Sequence, residues 1–312
     1  MEGDSQLPDI SVVVPAYAEH DRLHRLLASL GQQRYPKSRV EVVVVDDGSP
    51  EPVCADIAHI VPAVTVRLLR HSQNAGRAQA RNTGIAGASG ELIVFIDSDM
   101  TAAPDLLQAH AAAHRDTDRC VAVGDVRFGP DVRRTALARY LEGRGVHRLP
   151  PGSPVPFNCF STGNASVRRA LLLAAGCFDS RFRRYGGEDL ELGYRLHCLG
   201  ARFAYAEGAH TLHHRCRSLE ATCDLMRVYG VHSLPLLVDT HPELRGVLRL
   251  GFLDQRRSWR AAAMRLALSN AVYWPVRLAS RLLDSWRLPE AVLDYLLWAS
   301  RTRGYLEKTR LV

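Results

Sequence analysis

An open α/β sheet is the fold class the sequence predicts, and three observations predict it. Apolar, β-branched runs recur through the first hundred residues, and helical patterns alternate with them. Each run also ends in polar or charged residues, at the edge where open α/β sheets bind their ligands.

The elements follow in order. "ISVVVPAY" (residues 10–17) is β-branched and stops at a proline, and "VEVVVVDDGS" (40–49) closes on two aspartates, a glycine and a serine. "VTVRLLR" (64–70) and "ELIVFIDSD" (91–99) complete the set. Continuous apolar strands of this kind suit a parallel sheet buried on both faces. Between them, "EHDRLHRLLASLGQQ" puts Leu23, Leu26, Leu27 and Leu30 on one helical face, with Gly31 as a stop. "RAQARNTGIAGA" (77–88) reads as a short helix with glycine breaks. Residues 120–208 mix short strands with irregular segments, and "RLPPGSPVPF" (148–157) is a candidate lid or linker. "SVRRALLLAAGCF" (166–178) reads as a helix closed by Gly176. "GGEDLELGYRLHCLG" (186–200) reads as a glycine hinge and then a helix, with Glu188 and Asp189 in its first turn, where acidic groups also suit the helix dipole. Beyond Thr211 the chain becomes helical and basic. "VYWPVRLASRLLDSW" (272–286) and "LPEAVLDYLLWASRTRGYLEK" (288–308) are amphipathic, which fits packing on a core or contact with a membrane surface.

The bulk composition narrows the function classes. The chain has 312 residues, 46% hydrophobic and 23% charged, enough for one large domain or a domain with an appendage. Fifteen basic and nine acidic residues follow Cys216, so most of the net charge of +7 sits in the last third. Such a tail suits an anionic surface or substrate. No nucleic-acid motif accompanies it, so no nucleic-acid partner is expected. Seven cysteines with no C-x-x-C spacing argue for a reducing compartment. The polar start shows no signal-peptide pattern, and no apolar stretch reaches about 18 residues, so no transmembrane helix is expected. The expected location is cytoplasmic, with the inner membrane face as a peripheral site.

The strand ends carry the chemistry. Asp97 and Asp99 repel one another unless a cation, hydrogen bonds or water take up the charge; a solvated turn is the plain alternative. The "DSD" oxygens suit Mg²⁺ or Mn²⁺. The "DDGS" turn offers acceptors for a base or ribose, and Arg77 and Arg81 offer guanidiniums for a base or phosphate. A nucleoside diphosphate needs all of these.

Together, "VVVPAYAE" (12–19), "VVVVDDGS" (42–49), "NAGRAQARNTG" (74–84), "FIDSDM" (95–100) and "GGEDLELGYRL" (186–196) make the chain resemble the family-2 inverting glycosyltransferases of GT-A fold. The resemblance covers roughly residues 9–220. It implies a single open mixed sheet flanked by helices, with a C-terminal helical extension. It divides the chain into a nucleotide-sugar half (9–118), an acceptor half (119–220) and a basic amphipathic extension (221–312). It implies that Pro15, Ala16, Tyr17 and Glu19 border the base and ribose, that Asp46 and Asp47 hold uracil or ribose, and that Arg77 touches the base. Asp97, Ser98 and Asp99 match the D-x-D motif, with Asp99 the direct metal ligand and Asp97 nearer the ribose. Gly163 and Asn164, taken as exposed, and Gly187 match the acceptor side. Asp189 matches the catalytic base and Glu188 its neighbour, in a form similar to the galactosyl- and N-acetylhexosaminyl-transferring branch.

Some relatives add a histidine ligand from the region of His210, His213 and His214. His213 aligns best, with His214 close behind, and imidazole suits Mn²⁺ better than Mg²⁺. A zinc set of His213, His214, Cys216 and Cys223 has poor spacing. The implied reaction moves a hexose or N-acetylhexosamine from a nucleotide-sugar, a UDP-sugar first, to a glycan, lipid-linked, peptide or small natural-product hydroxyl. Two rivals stand beside it. A nucleotidyltransferase would need a glycine-rich basic loop that "VVVPAYAEHDRL" lacks, and a catalytically inactive nucleotide-sugar- or carbohydrate-binding protein of the same fold would not need "DSD" and "GGED" intact.

Overall fold

The computed structural model describes residues 7–61, 63–150, 153–255, 258–282 and 288–309. Pro151 and Gly152 of the proline-rich loop, and the end of the expected helix 272–286 from residue 283, lie outside the described residues. The chain divides into two compact units. The first comprises Met1–Val132, Arg144–Arg183 and Glu188–Arg215; the second comprises Arg133–Gly143, Arg184–Gly187 and Cys216–Val312.

In chain order the first unit begins with β1 (Ile10–Ala16), α1 (His20–Gly31), β2 (Val40–Asp46), β3 (Thr65–Arg70), α2 (Arg77–Gly87), β4 (Leu92–Ile96) and β5 (Met100–Ala102). There follow α3 (Leu106–Ala113) and β6 (Cys120–Phe128), then α4 (Ala136–Glu142), which belongs to the second unit. β7 (Asn164–Arg168), α5 (Arg169–Ala174), α6 (Glu188–Cys198) and β8 (Arg202–His213) complete the first unit.

Its eight strands form one sheet in the order β3-β2-β1-β4-β7-β6-β8-β5. The four runs read from the sequence are the parallel strands β3, β2, β1 and β4. β7 runs antiparallel to both β4 and β6, so the sheet is mixed, as the resemblance implied. The valines of β1 and β2 pair in register, Val12 with Val42 and Val14 with Val44, and all four are fully buried. Leu23, Leu26, Leu27 and Leu30 of α1 bury against this layer, which confirms the leucine stripe. β3 differs: it is the sheet edge and alternates exposed with half-buried residues, so it is not covered on both faces.

Two further expectations are corrected. Ser166–Arg168 are not helical; they finish β7, where Ser166 and Val167 pair with β4 and β6. Pairing on both sides outweighs the local helical pattern. Residues 202–208, read as part of a mix of short strands and irregular segments, and residues 212–213, read as the start of the helical region, all lie in the twelve-residue β8 (Arg202–His213). Its register against β6 shifts between Val123 and Asp125, and Gly208 sits there at φ +90°. The bulge bends β8 and disrupts the alternation that marks a strand.

The second unit is helical. Besides α4 it holds α7 (Leu219–Val228), a π turn (Tyr229–Ser233), α8 (Leu234–Thr240), α9 (Trp259–Ala267), α10 (Asn270–Leu282) and α11 (Glu290–Thr309). Cys223, Phe252, Ala261, Leu268, Tyr273, Leu296 and Ala299 form its core. A Cβ on Gly230 would lie 1.9 Å from the Arg301 carbonyl oxygen, and one on Gly304 would lie 2.4 Å from that of Arg227. These two glycines let the backbones of α11 and its neighbours meet. No helix among the described residues is long and apolar enough to cross a membrane.

Candidate active site

The site is built at the carboxyl ends of β1, β2 and β4. β4 buries Leu92–Ile96 completely and then releases Asp97, Ser98 and Asp99 into a turn. Met100 N donates to Asp97 O at 3.2 Å, closing the turn into β5. β5 pairs with β8, Met100 opposite His213, and this pairing brings the histidine to the aspartates. His213 Nε2 lies 3.2 Å from Asp99 Oδ2. Burial pushes the Asp99 carboxyl up, but the His213 hydrogen bond and charge, helped by Arg22, hold it below its usual range. His213 shifts the opposite way: burial lowers it, and Asp99 more than restores it.

His214 is turned elsewhere. Its Nε2 meets Thr101 Oγ1 at 2.9 Å and its Nδ1 meets Asp131 Oδ1 at 2.8 Å. His210 Nδ1 lies 3.7 Å from Asp125 Oδ2. Of the three histidine side chains considered, only that of His213 pairs with a D-x-D carboxylate among the described residues; His214 meets the turn through its backbone N, which donates to Asp99 O at 3.0 Å. Among the described residues no group of three or more His, Cys, Asp or Glu side chains forms a metal cage, so the zinc set gains no support. Asp99 and His213 together would suit a divalent cation as two donors of a mixed oxygen–nitrogen set.

Asp97 is held differently. Arg81, on α2, is fully buried, and its guanidinium joins three carboxylates. Its Nη2 donates to Asp97 Oδ1 at 3.0 Å, its Nη1 donates to Glu188 Oε1 at 3.3 Å, and Nη1 lies 3.6 Å from Asp189 Oδ1. The Phe178 ring lies 5.7 Å from its central carbon. Burial alone would lower the Arg81 pKa; Asp189, Asp97 and Glu188 outweigh it and raise it. Sequence reasoning took Arg81 for a phosphate or base contact; both of its terminal nitrogens face carboxylates, and its Nε is buried with no hydrogen-bond partner among the described residues.

Asp189 and Glu188 open α6 as expected. Thr162 grips Asp189: the backbone N donates to Oδ2 at 3.1 Å, and Oγ1 lies 3.0 Å from Oδ1. Burial pushes the Asp189 carboxyl up, Arg81 pulls it down, and Glu188 pushes it up again, giving a value of about 6. Its side chain is still 25% exposed, so a substrate can reach it. Thr162 was missed, because a threonine beside a glycine carries no signal in sequence. Arg77, at the start of α2, has Nε 3.8 Å from Glu188 Oε1.

The "DDGS" turn is closed. Asp46 Oδ1 accepts from Ser49 N at 2.9 Å; its Oδ2 accepts from Val53 N at 3.1 Å and pairs with Arg70. Asp47 accepts from Ala75 N and Gly76 N, each at 2.9 Å, and meets His71 Nδ1 at 2.7 Å. Both aspartates are buried. At the end of β1, Pro15 is half-buried, Ala16 is buried and Tyr17 is exposed. Glu19 receives Arg22 at 2.8 Å and Arg215 at 2.9 Å. Ser98 is buried within its turn.

Gly163 and Asn164 are not exposed, which corrects that expectation. A Cβ on Gly163 would lie 2.8 Å from Met100 Cε and 3.7 Å from Asp97 Oδ2, so the glycine lets the Met100 side chain pack against the backbone beside the D-x-D turn. Asn164 spends its amide inside the protein: Nδ2 donates to Asp125 O and Ala209 O, and Oδ1 meets His110 Nε2 at 2.8 Å. Gly187 lies in the second unit at φ +96°, a conformation that favours glycine, as does Gly186 at +84°.

Residues 11–172 match the family model described as glycosyl transferase family 2. The chain belongs to this family. It is 27% identical over 269 residues to the uncharacterized glycosyltransferase YfnE of Bacillus subtilis, covering 67% of each chain. It spans 49% and 48% of two other curated glycosyltransferases at 31% identity. Among solved structures it resembles the mannosyltransferase PcManGT of Pyrobaculum calidifontis in complex with GDP-Man and Mn²⁺, at TM-score 0.60 and 21% identity over 95% of this chain and 87% of that one. It also resembles S. aureus TarS 1–349 in complex with UDP, at TM-score 0.55 and 19% identity over 97% and 92%. These likenesses bear out the GT-A fold: one mixed sheet flanked by helices, followed by a helical segment.

Proposed function

We propose that this family member is an active, inverting, metal-assisted hexosyl- or N-acetylhexosaminyltransferase that uses a nucleotide-sugar donor. The observation that carries this reading is the Arg81 node. One buried guanidinium draws the D-x-D aspartate and the first two residues of α6 together. A carboxyl of pKa about 6, partly exposed and gripped by Thr162, is poised to take a proton near neutral pH.

In this mechanism Asp189 removes the proton of an acceptor hydroxyl. The acceptor oxygen bonds to the anomeric carbon as the bond to the diphosphate oxygen breaks on the opposite face. An α-linked donor then yields a β-glycoside. Asp99 and His213 would hold a divalent cation, Mn²⁺ before Mg²⁺ given the imidazole, and such a cation lends Lewis-acid stabilisation to a departing diphosphate. Glu188 keeps Arg81 in position and belongs to the acceptor side, as Gly163 and Gly187 do. Tyr17 and Arg77 are the partly or largely exposed groups offered to the base. Asp46 and Asp47 shape the adjoining turn from within.

UDP is the preferred donor nucleotide. TarS in complex with UDP supports that choice, and PcManGT in complex with GDP-Man supplies the competing one. The acceptor is an alcohol of a glycan, lipid-linked sugar, peptide or small natural product. The test is calorimetric titration with UDP and GDP, each with Mn²⁺ and with EDTA, followed by NMR of the product. Metal-dependent UDP binding and a β-linked product from an α-donor are expected. Tighter GDP binding would change the donor, and an α-linked product would end the inverting assignment.

A further inference from the structure

A helix on a protein surface ordinarily turns its apolar stripe inward and its charges outward. α9 and α10 do the reverse on one face each. The exposed positions of α9 read W-x-x-A-A-x-x-L from Trp259, and those of α10 read A-x-x-W-P-x-x-L from Ala271. Each set has the i, i+3, i+4, i+7 spacing of a single helical face. Trp259 is 75% exposed, Leu266 64%, Trp274 51% and Leu278 56%. The opposite faces are occupied: Ala261, Leu268 and Tyr273 lie in the core of the second unit. The outward stripes are therefore additional to the stripes that hold these helices in place.

The charge carried by their own stretch of sequence has one sign. Residues 255–283 carry six arginines and no aspartate or glutamate. Arg277 pairs with Asp224 and Arg281 with Glu220, both on α7, which offsets part of the charge. Arg260 stacks over the Trp259 ring at 5.5 Å, and Arg265 donates only to the carbonyl oxygens of Phe252, Leu253 and Gln255, so both keep their charge. Tryptophan is the side chain suited to a boundary between apolar and aqueous phases, and arginine to an anionic one. α11, by contrast, buries Leu293, Leu296, Ala299 and Tyr305, so it presents no comparable stripe.

The geometry points to α9 and α10 as an interfacial anchor that rests the second unit on an anionic phospholipid surface. Two Trp–Leu stripes enter the headgroup boundary, and Arg260, exposed beside Trp259, meets lipid phosphates. A second copy of the chain fits less well, because a symmetric contact through this face would set like charges against each other. This inference is independent of the catalytic reading, because vesicle binding is measured without donor or turnover.

The test is flotation of the full chain with vesicles of phosphatidylcholine, with and without a minor fraction of phosphatidylglycerol, alongside tryptophan fluorescence and sedimentation velocity. The wild type is expected to float with the anionic vesicles, to shift its emission to the blue, and to detach at high salt. Trp274→Gln with Leu278→Gln, and separately Trp259→Gln with Leu266→Gln, are expected to weaken binding about tenfold with an unchanged circular dichroism spectrum. All four side chains are at least half exposed, and the ring contacts of Trp274 are with Tyr273 and Arg277 of its own helix, so the fold is expected to persist. Equal flotation by the variants, or no preference for the anionic vesicles, would overturn the proposal. So would a dimer that both double variants dissolve while vesicle binding is absent.

Discussion

Two acidic turns stand near one another on the same sheet edge and behave in opposite ways. Asp46 and Asp47 end β2, and Asp97 and Asp99 follow β4. In the first turn the carboxylates are buried, and backbone N–H groups, Arg70 and His71 use them up. In the second, Arg81 holds Asp97, His213 with help from the Arg22 charge holds Asp99, and the Asp97 side chain is still 34% exposed. The same residue type at the same kind of strand end thus supports shape in one place and offers chemistry in the other. What separates them is the source of the partner. Backbone amides saturate a carboxylate, whereas a single ion pair leaves lone pairs for a ligand.

That contrast can be broken or sharpened by substitution. The largest effect on stability is expected at the shared partner: Arg81→Met leaves Asp97, Glu188 and Asp189 uncompensated. It should cost about 3–5 kcal/mol, read as a lower urea midpoint, and abolish turnover. Next, Asp46→Ala should lose about 1.5–3 kcal/mol by breaking charged hydrogen bonds. Asp99→Ala should lose less, because its carboxylate has one hydrogen-bonded side-chain partner where that of Asp46 has two backbone N–H donors and Arg70. It should, however, remove the metal dependence of nucleotide binding. If the two substitutions cost equal stability, the distinction between the turns fails.

A smaller effect is expected at Thr162. Thr162→Val should lower kcat about tenfold at unchanged donor affinity, and Thr162→Ser should restore it, because the hydroxyl steadies Asp189. The mildest test is pH. Burial raises Asp46, but its bonds to Ser49, Val53 and Arg70 hold the folded pKa below the ordinary 3.8. Its contribution to stability is complete above about pH 4 and is lost as pH falls through the depressed folded value. Asp189 is raised instead, so kcat/KM should fall about tenfold per unit below pH about 6, where the base is protonated while the fold persists.

The sequence made the strand ends legible because they are local: an apolar run that stops in Asp-x-Asp or Asp-Asp announces itself within ten residues. α1, α2 and α6 were legible for the same reason, through leucine spacing and glycine stops. Long-range partnership was not. Arg81 and Glu188 are 107 residues apart, and nothing near Arg81 in sequence marks it as buried among carboxylates. Asn164 looked like an exposed loop residue, yet β7 carries it under the sheet to His110. Burial holds His110 at a pKa of about 4, so it stays neutral there. β8 escaped notice because its bulge breaks the alternation, and α3 because its alanines show no clear stripe.

The central claim is that Asp189 is the base of an inverting transfer. The most direct test is Asp189→Asn, with turnover and nucleotide affinity measured on the same preparation. The account predicts turnover down by about 10²- to 10⁴-fold with nucleotide binding and melting temperature close to wild type. Near wild-type turnover in the folded, nucleotide-binding variant would contradict it.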